Sequence, residues 1–241
     1  MHILIAIVAV AVSVAAHAAV LADTSVEQRL RSVLGEALPG IEIASIRPAP
    51  LKGMHEVVLG GEVLYVSDNG RFLLKGDLID LKDKRNISDE RRAQARITGL
   101  KAVPPNTMIE FAPPDTQHVL YVYTDVDCGY CRKFHQEVGT LNAAGIAIRY
   151  LAFPRAGVGS DSFKKSESVW CAADRNAALT EAKAGKPVPA ATCDNPVGTH
   201  YELGTRMGVR GTPALISEDG QELGGYIPAE QLIQYVRKGR S

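Results

Sequence analysis

The sequence predicts an α+β protein made of two unlike units. Three observations predict it. Short apolar runs separated by hairpin turn signals fill residues 41–81. From Met108 the order changes to strand, strand, helix, strand. Cys128-Gly129-Tyr130-Cys131 sits where one of those strands meets the helix. Composition agrees with a globular chain: 241 residues, 46% hydrophobic and 22% charged. Lys plus Arg and Asp plus Glu both number 27, so no global charge points to nucleic acid or to an acidic substrate.

The first 22 residues stand apart. Ile3 to Ala16 is apolar except for Ser13, and Ala16-His17-Ala18 offers a small-x-small cleavage site. This predicts a signal peptide over 1–18, with Ala22 as a second cleavage point. An N-terminal membrane anchor is the alternative. Export would put the four cysteines where disulfides persist.

Thr24-Ser25-Val26-Glu27 fits a capping box, and Val26, Leu30, Val33, Leu34 and Ala37 recur at helical spacing. Pro39-Gly40 stops that helix. Strands follow around Ile41, Val57, Val63 and Phe72, with turns at Gly60-Gly61 and Asp68-Asn69-Gly70. His55 and Glu56 face opposite ways on a strand. A unit of about 60 residues buries little surface by itself, and its strand edges suit self-association. The expected boundaries are 23–82 for this domain, 83–103 for a hinge and linker helix, and 104–241 for the second domain. Lys82 to Asn86 reads as the hinge, and Ser88 caps a helix through Leu100. Arg91, Arg92 and Arg96 read as that helix's solvated side.

In the second domain, Met108 to Phe111 and Val119 to Tyr123 are strands, and the next helix carries Cys131, Phe134, Val138 and Leu141 on one stripe. Ile146 to Phe153 is a strand. Alternating strand and helix argues for parallel pairing. A polar helical stretch spans Asp161 to Ala184, with Trp170 as core. A Pro-rich loop carries Cys193. A helix near Tyr201 to Met207, a hairpin across 218–221 and a last helix after Pro228 complete the chain.

A C-x-x-C pair beside strand–helix–strand order signals thiol–disulfide chemistry. The thiolate is the reactive species, and a helix N-terminus can bring a thiol pKa from about 8.5 to roughly 3.5–7.5. Cys128, nearer the helix start, is the expected nucleophile, and Cys131 the resolving thiol. The alternatives are a structural disulfide and half of a zinc site, which would recruit Cys171 and Cys193, 22 residues apart. In an exported protein those two most simply bridge each other, which stabilises by roughly 3–3.5 kcal/mol on the chain-entropy account. Thr212-Pro213 stands before a predicted strand, where a cis peptide would free the preceding backbone to pair with an extended substrate. Asp125 and Asp127 either oppose a thiolate at Cys128 or point outward and cap the helix. His135 reads as a solvated helix residue.

The chain resembles the DsbC-type bacterial thiol:disulfide interchange proteins at Cys128-Gly129-Tyr130-Cys131, Tyr150-Leu151-Ala152-Phe153-Pro154-Arg155, Trp170-Cys171-Ala172, Gly211-Thr212-Pro213-Ala214 and Gly225-Tyr226. It does so too at Arg47-Pro48-Ala49-Pro50, Gly53-Met54 and Leu64-Tyr65-Val66. The resemblance implies a cystatin-like N-terminal dimerisation domain, a linker helix, and a thioredoxin-like catalytic domain with a helical insertion. It implies Cys128 as nucleophile, Cys131 as resolving cysteine, Pro213 as a cis-proline and Cys171–Cys193 as a structural bridge. Gly129, Tyr130 and Thr212 would touch substrate. The implied setting is a V-shaped periplasmic homodimer acting on misfolded disulfide-containing secreted proteins. A DsbD-type membrane reductase would keep the pair reduced, with no cofactor, metal or nucleic acid. A DsbG-like reductase or chaperone and a thiol oxidase are the alternatives, and Gly129 favours the DsbC side.

Overall fold

A computed structural model describes residues 25–59 and 61–238. The predicted signal peptide, Thr24 of the capping box and Gly60 of the first turn lie outside the described residues. The chain divides into two compact units between Ser88 and Asp89. Among the described residues no helix is long and apolar enough to cross a membrane.

The first unit packs one helix, α1 (25–37), on an antiparallel meander. Its strands are β1 (Ile43–Pro48), β2 (Met54–Leu59), β3 (Glu62–Ser67) and β4 (Leu73–Lys75). Leu30 and Leu34, one turn apart on α1, meet Ile46, Val57, Leu59, Leu64 and Val66 in the core. The Asp68-Asn69-Gly70 turn forms as its residues demand: Gly70 has φ +70°, and the Asn69 side chain accepts from the Arg71 N–H. His55 and Glu56 project to opposite faces of β2, yet both are buried. His55 Nδ1 lies 3.0 Å from Asp68 Oδ1.

The end of this unit differs from the sequence reading in two details. Lys82 to Asn86, read as the hinge, has secondary structure of its own. It forms the turn and return strand of a small ribbon, β5 (Ile79–Asp80) with β6 (Arg85–Asn86). Asp80 Oδ1 accepts from the N–H groups of Lys82 and Asp83, which closes the turn. The following helix, α2, runs Ile87–Ala102, so Ser88 lies inside its first turn and does not cap it. The Ser88 hydroxyl instead accepts from the Leu78 N–H and pairs with the Tyr65 hydroxyl at 2.6 Å. A buried hydroxyl takes whatever partner the fold brings, and here that partner is not its own helix.

The second unit is built on a five-stranded mixed sheet in the order β11-β10-β8-β9-β7. The strands are β7 (Ile109–Phe111), β8 (His118–Thr124), β9 (Ile146–Ala152), β10 (Ala214–Ser217) and β11 (Glu222–Gly224). Only β8 and β9 run parallel; the other three pairs are antiparallel. A parallel pair needs a crossover. Helices α3 (Gly129–Gln136) and α4 (Val138–Ala143) supply it. The expected single helix breaks at Glu137, whose carboxylate reaches the Tyr226 hydroxyl and the Ala229 N–H at the start of the last helix, α8 (Ala229–Lys238).

Alternation along β8 sorts its side chains onto two cores. Leu120 and Val122 join Phe134, Val138 and Leu141 on one face. Tyr121 and Tyr123 join Ile97 and Leu100 of α2 on the other. Arg96, expected in solvent, is buried. It donates to Glu222 at 2.9 Å and to the Gly220 carbonyl at 3.4 Å. Helical periodicity puts charge outward only when no other element supplies a counter-charge.

The helical insertion is two helices rather than one, α5 (Asp161–Trp170) and α6 (Arg175–Lys183). Ser160 and Asp174 cap them, accepting from the N–H groups of Phe163 and Ala177. Trp170 is fully buried and donates to the Thr107 carbonyl at 2.9 Å. Helix α7 (Val197–Arg206) packs on β9, and Gly204 permits the contact: a Cβ there would fall 2.7 Å from the Phe153 ring and 2.9 Å from the Tyr123 ring. Gly204→Ala is expected to destabilise this unit by about 1–3 kcal/mol through overpacking. Urea unfolding followed by emission of the chain's single tryptophan, Trp170, reads that unit alone; an unchanged midpoint would contradict the packing account.

Candidate active site

Strand β8 ends at Thr124, and four residues later Cys128 occupies the N-cap of α3. Its extended backbone, φ −86° and ψ 121°, turns the side chain back over the first turn, where Sγ accepts from the Cys131 N–H at 3.3 Å. A sulfur in this place fills the role an N-cap oxygen usually fills. On the other side the Cys128 thiol donates to the Thr212 carbonyl at 3.1 Å. Register explains that approach. Strand β10 pairs antiparallel with β8, and Ala214 lies opposite Tyr123. The two residues before β10 therefore fall beside the β8–α3 loop. The Thr212–Pro213 peptide is cis. The structure thus brings Cys128, Cys131, Thr212 and Pro213 to one place.

The two sulfurs are electrically unlike. Cys128 is brought down to about 5, chiefly because the Cys131 thiol can donate to its thiolate. Burial opposes this, while the Thr212 side chain, the Cys131 N–H and the Arg155 charge add to it. Cys131 is only 1% exposed, and its thiol is pushed up, first by burial and then by its bond to Cys128. Cys128 itself is only 2% exposed, less open than a nucleophile's role suggests. The next two residues, Gly129 and Tyr130, are exposed. Tyr130 is 64% exposed and stacks on Tyr226, with ring centres 6.0 Å apart. Lys133 Nζ lies 4.6 Å from the Tyr226 ring centre.

Neither aspartate before the motif aims a free charge at Cys128. Asp125 does not point outward. It is buried and accepts from Arg155 Nε at 2.9 Å, and from the N–H groups of Asp127 and Arg155. Asp127 is at the surface, 3.0 Å from Lys165 and 3.7 Å from Arg132. His135 is not solvated either. It bonds the Tyr150 hydroxyl at 2.9 Å and the Thr180 hydroxyl at 3.1 Å, and burial pulls it down to about 4. It is a neutral imidazole at physiological pH.

Sequence reasoning missed two residues here. Arg155, from the loop after β9, supplies the counter-charge to Asp125. Lys183, from α6, is buried and donates to Thr124 Oγ1 at 2.6 Å and to the Asp125 carbonyl at 2.7 Å. A faint signal existed for the lysine: it falls four residues after Leu179, hence on the inward stripe of its helix. Cys171 and Cys193 are joined by a disulfide that ties the end of α5 to the Pro-rich loop. A zinc site shared by all four cysteines would lack two of its thiolates.

Comparison with known proteins finds matches for both units of the chain. A thioredoxin-like domain family matches residues 105–240, and the disulfide bond isomerase protein N-terminal domain family matches 14–89. The thiol:disulfide interchange protein DsbC of Dickeya dadantii is 37% identical over 88% of this chain and 85% of its own. The DsbC of Escherichia coli K12 is 36% identical over 89% and 87%. The chain belongs to the DsbC family. A solved disulfide interchange protein from Neisseria gonorrhoeae, 29% identical, superposes with TM-score 0.51 over 56% of this chain and 97% of its own. Thiol:disulfide interchange is the chemistry of the DsbC family, and a thiol pair at the head of α3 is suited to it. In this DsbC relative, Arg155→Met is expected to raise the Cys128 titration midpoint by up to about one pH unit, since it removes a nearby positive charge. Thiolate absorbance against pH measures it; an unmoved midpoint would remove Arg155 from the site's electrostatics.

Proposed function

We propose that the protein is a periplasmic disulfide isomerase and reductase of secreted proteins, with Cys128 as nucleophile and Cys131 as resolving thiol. The observation that carries the reading is the opposite displacement of the two thiols: Cys128 brought down to about 5 and Cys131 pushed up. The Cys128 thiolate attacks one sulfur of a wrong disulfide. A Cys128–substrate bond forms, the substrate disulfide breaks, and one substrate sulfur leaves as thiolate. A different substrate thiol then attacks the mixed disulfide, forms a new pairing and releases Cys128, with no net oxidation. If this stalls, Cys131 loses its proton and attacks Cys128. The substrate leaves reduced and the enzyme is oxidised, so a two-electron donor, a membrane reductase of the DsbD type, must restore the dithiol.

Substrate backbone would pair beside Thr212 and Pro213. The Thr212 side chain is within hydrogen-bonding reach of both sulfurs and favours the thiolate of each. Gly129 adds no side chain to the approach, and the exposed Tyr130 gives apolar contact. The first unit would make the homodimer. Edge strand β4 leaves Leu73 49% and Leu74 55% exposed beside Phe72, an apolar edge suited to covering by a second copy. Exposed apolar side chains away from that edge, Tyr130 among them, favour a second, coexisting reading, a chaperone-like hold on unfolded chains. Residues 1–18 would direct export.

Refolding of scrambled ribonuclease tests the isomerase reading. Cys128→Ser should abolish reactivation, and Cys131→Ser should accumulate trapped mixed disulfides. Reactivation at the normal rate by the Cys128 variant would refute it. Light scattering of a denatured client separates the second reading, since suppression of aggregation would survive loss of both thiols. A solution mass twice that of the mature chain is expected, and a monomer would contradict the dimer.

A further inference from the structure

We propose that Lys183 is a positioning residue for the resolving step: its buried charge stabilises the thiolate that Cys131 must become to break the mixed disulfide. This rests on the reading of Cys131 as the resolving thiol. The residue comes from α6, in the helical insertion, and its side chain reaches under the head of α3. Nζ donates to two neutral oxygens, Thr124 Oγ1 at 2.6 Å and the Asp125 carbonyl at 2.7 Å. The Asp125 carbonyl also accepts the Cys128 N–H at 3.2 Å, so one peptide oxygen joins the lysine to the redox motif. The backbone of Asp125 supports the Cys131 sulfur as well.

Among the described residues no carboxylate lies within ion-pairing distance of Nζ, because Asp125 gives its carboxylate to Arg155. Burying a charge without a counter-charge is costly unless an anion forms nearby. The groups that face this point from each packed element are few. Helix α3 offers Cys128, Cys131 and His135, the last a neutral ring, and Arg132, which pairs with Asp127 and whose like charge further disfavours a charged Lys183. Strand β9 offers Tyr150, a phenol that burial keeps protonated. The loops offer Asp125 and Arg155, already paired. Lys183 is brought down to about 8 by burial, and the Cys131 thiolate is first among the groups that oppose that fall. Asp125, already paired, and the Cys128 thiolate oppose it less, and Cys128 loses its charge once it is bonded to substrate, so the anion that resolution creates at Cys131 is the one this lysine favours most.

The step balances simply. Cys131 loses its proton to solvent, its sulfur bonds to Cys128, and the Cys128–substrate bond breaks. The substrate sulfur departs as thiolate and regains a proton from water. Lys183 keeps its proton throughout.

The test uses the full mature protein, reduced, mixed with a bis(nitrobenzoate) disulfide. The first coloured thiolate reports Cys128 attack and the second reports Cys131 resolution. Lys183→Met removes the charge, and Lys183→Gln removes it but keeps a hydrogen-bond donor. Both should change the first phase less than the second, since Cys128 acts on Lys183 more weakly than Cys131 does. Both should slow the second about tenfold at neutral pH, the change in thiolate population made by a one-unit rise in Cys131. In the wild type, log rate of the second phase should flatten near pH 8, as Lys183 loses its charge, and in the variants it should keep climbing. A normal second phase in either folded variant overturns the proposal. If neither variant folds, the wild-type profile decides: flattening near pH 8 supports the proposal and an uninterrupted climb overturns it. Cys131→Ser separates the two levels. A second phase that persists in that variant would refute the resolving role itself, whatever Lys183 does.

Discussion

The rest of the second unit is arranged around one short set of contacts at the head of α3, where the Cys131 thiol, the Cys131 N–H and the Thr212 side chain bond the Cys128 sulfur. A thiolate at neutral pH needs donors that point at it before it forms, because water is largely excluded. The first turn of a helix provides such donors without rearrangement. The parallel β8–β9 pair requires a crossover, the crossover must begin where β8 ends, and its first turn therefore sits at one end of the sheet. Antiparallel β10 then delivers the Thr212–Pro213 peptide to the same end. The chemistry is placed by sheet topology before any special side chain is considered.

The motif's two sulfurs have the same formula and opposite environments. One gains donors and a nearby guanidinium, while the other is fully enclosed and spends its proton on its neighbour. Under the isomerase reading that asymmetry sets the order of events. The first sulfur attacks readily, and the second answers slowly enough for the substrate to try another pairing. Arg155 and Lys183 then divide the work: the arginine neutralises Asp125 at the rim, and the lysine holds charge in reserve below.

Much of this was legible in the sequence because it is local. The C-x-x-C motif, its strand–helix setting, the Asn69-Gly70 turn and the β10–β11 hairpin each lie within a few residues. The errors at single side chains share one cause, partners that are distant in sequence. Arg96 reads as solvated until Glu222 appears beside it. Asp125 reads as outward until Arg155 arrives from the end of β9, and His135 until Tyr150 and Thr180 close over it. Ser88 looks like a cap until Leu78 and Tyr65 take its hydroxyl. Periodicity assigns a face to each residue, but it does not say what stands opposite that face. Lys183 was hidden for the same reason, as a charge on an apolar stripe.

The account depends on Cys128 being ionised in the folded, reduced protein while Cys131 is not. Alkylation rates of the two cysteines, measured separately by mass spectrometry across a range of pH, test that directly. Cys128 labelling is expected to rise with a midpoint near pH 5 and to be complete in thiolate by neutrality, with Cys131 unlabelled throughout. A Cys128 midpoint at the value of a free thiol, about 8.5, or equal labelling of both sulfurs, would contradict it.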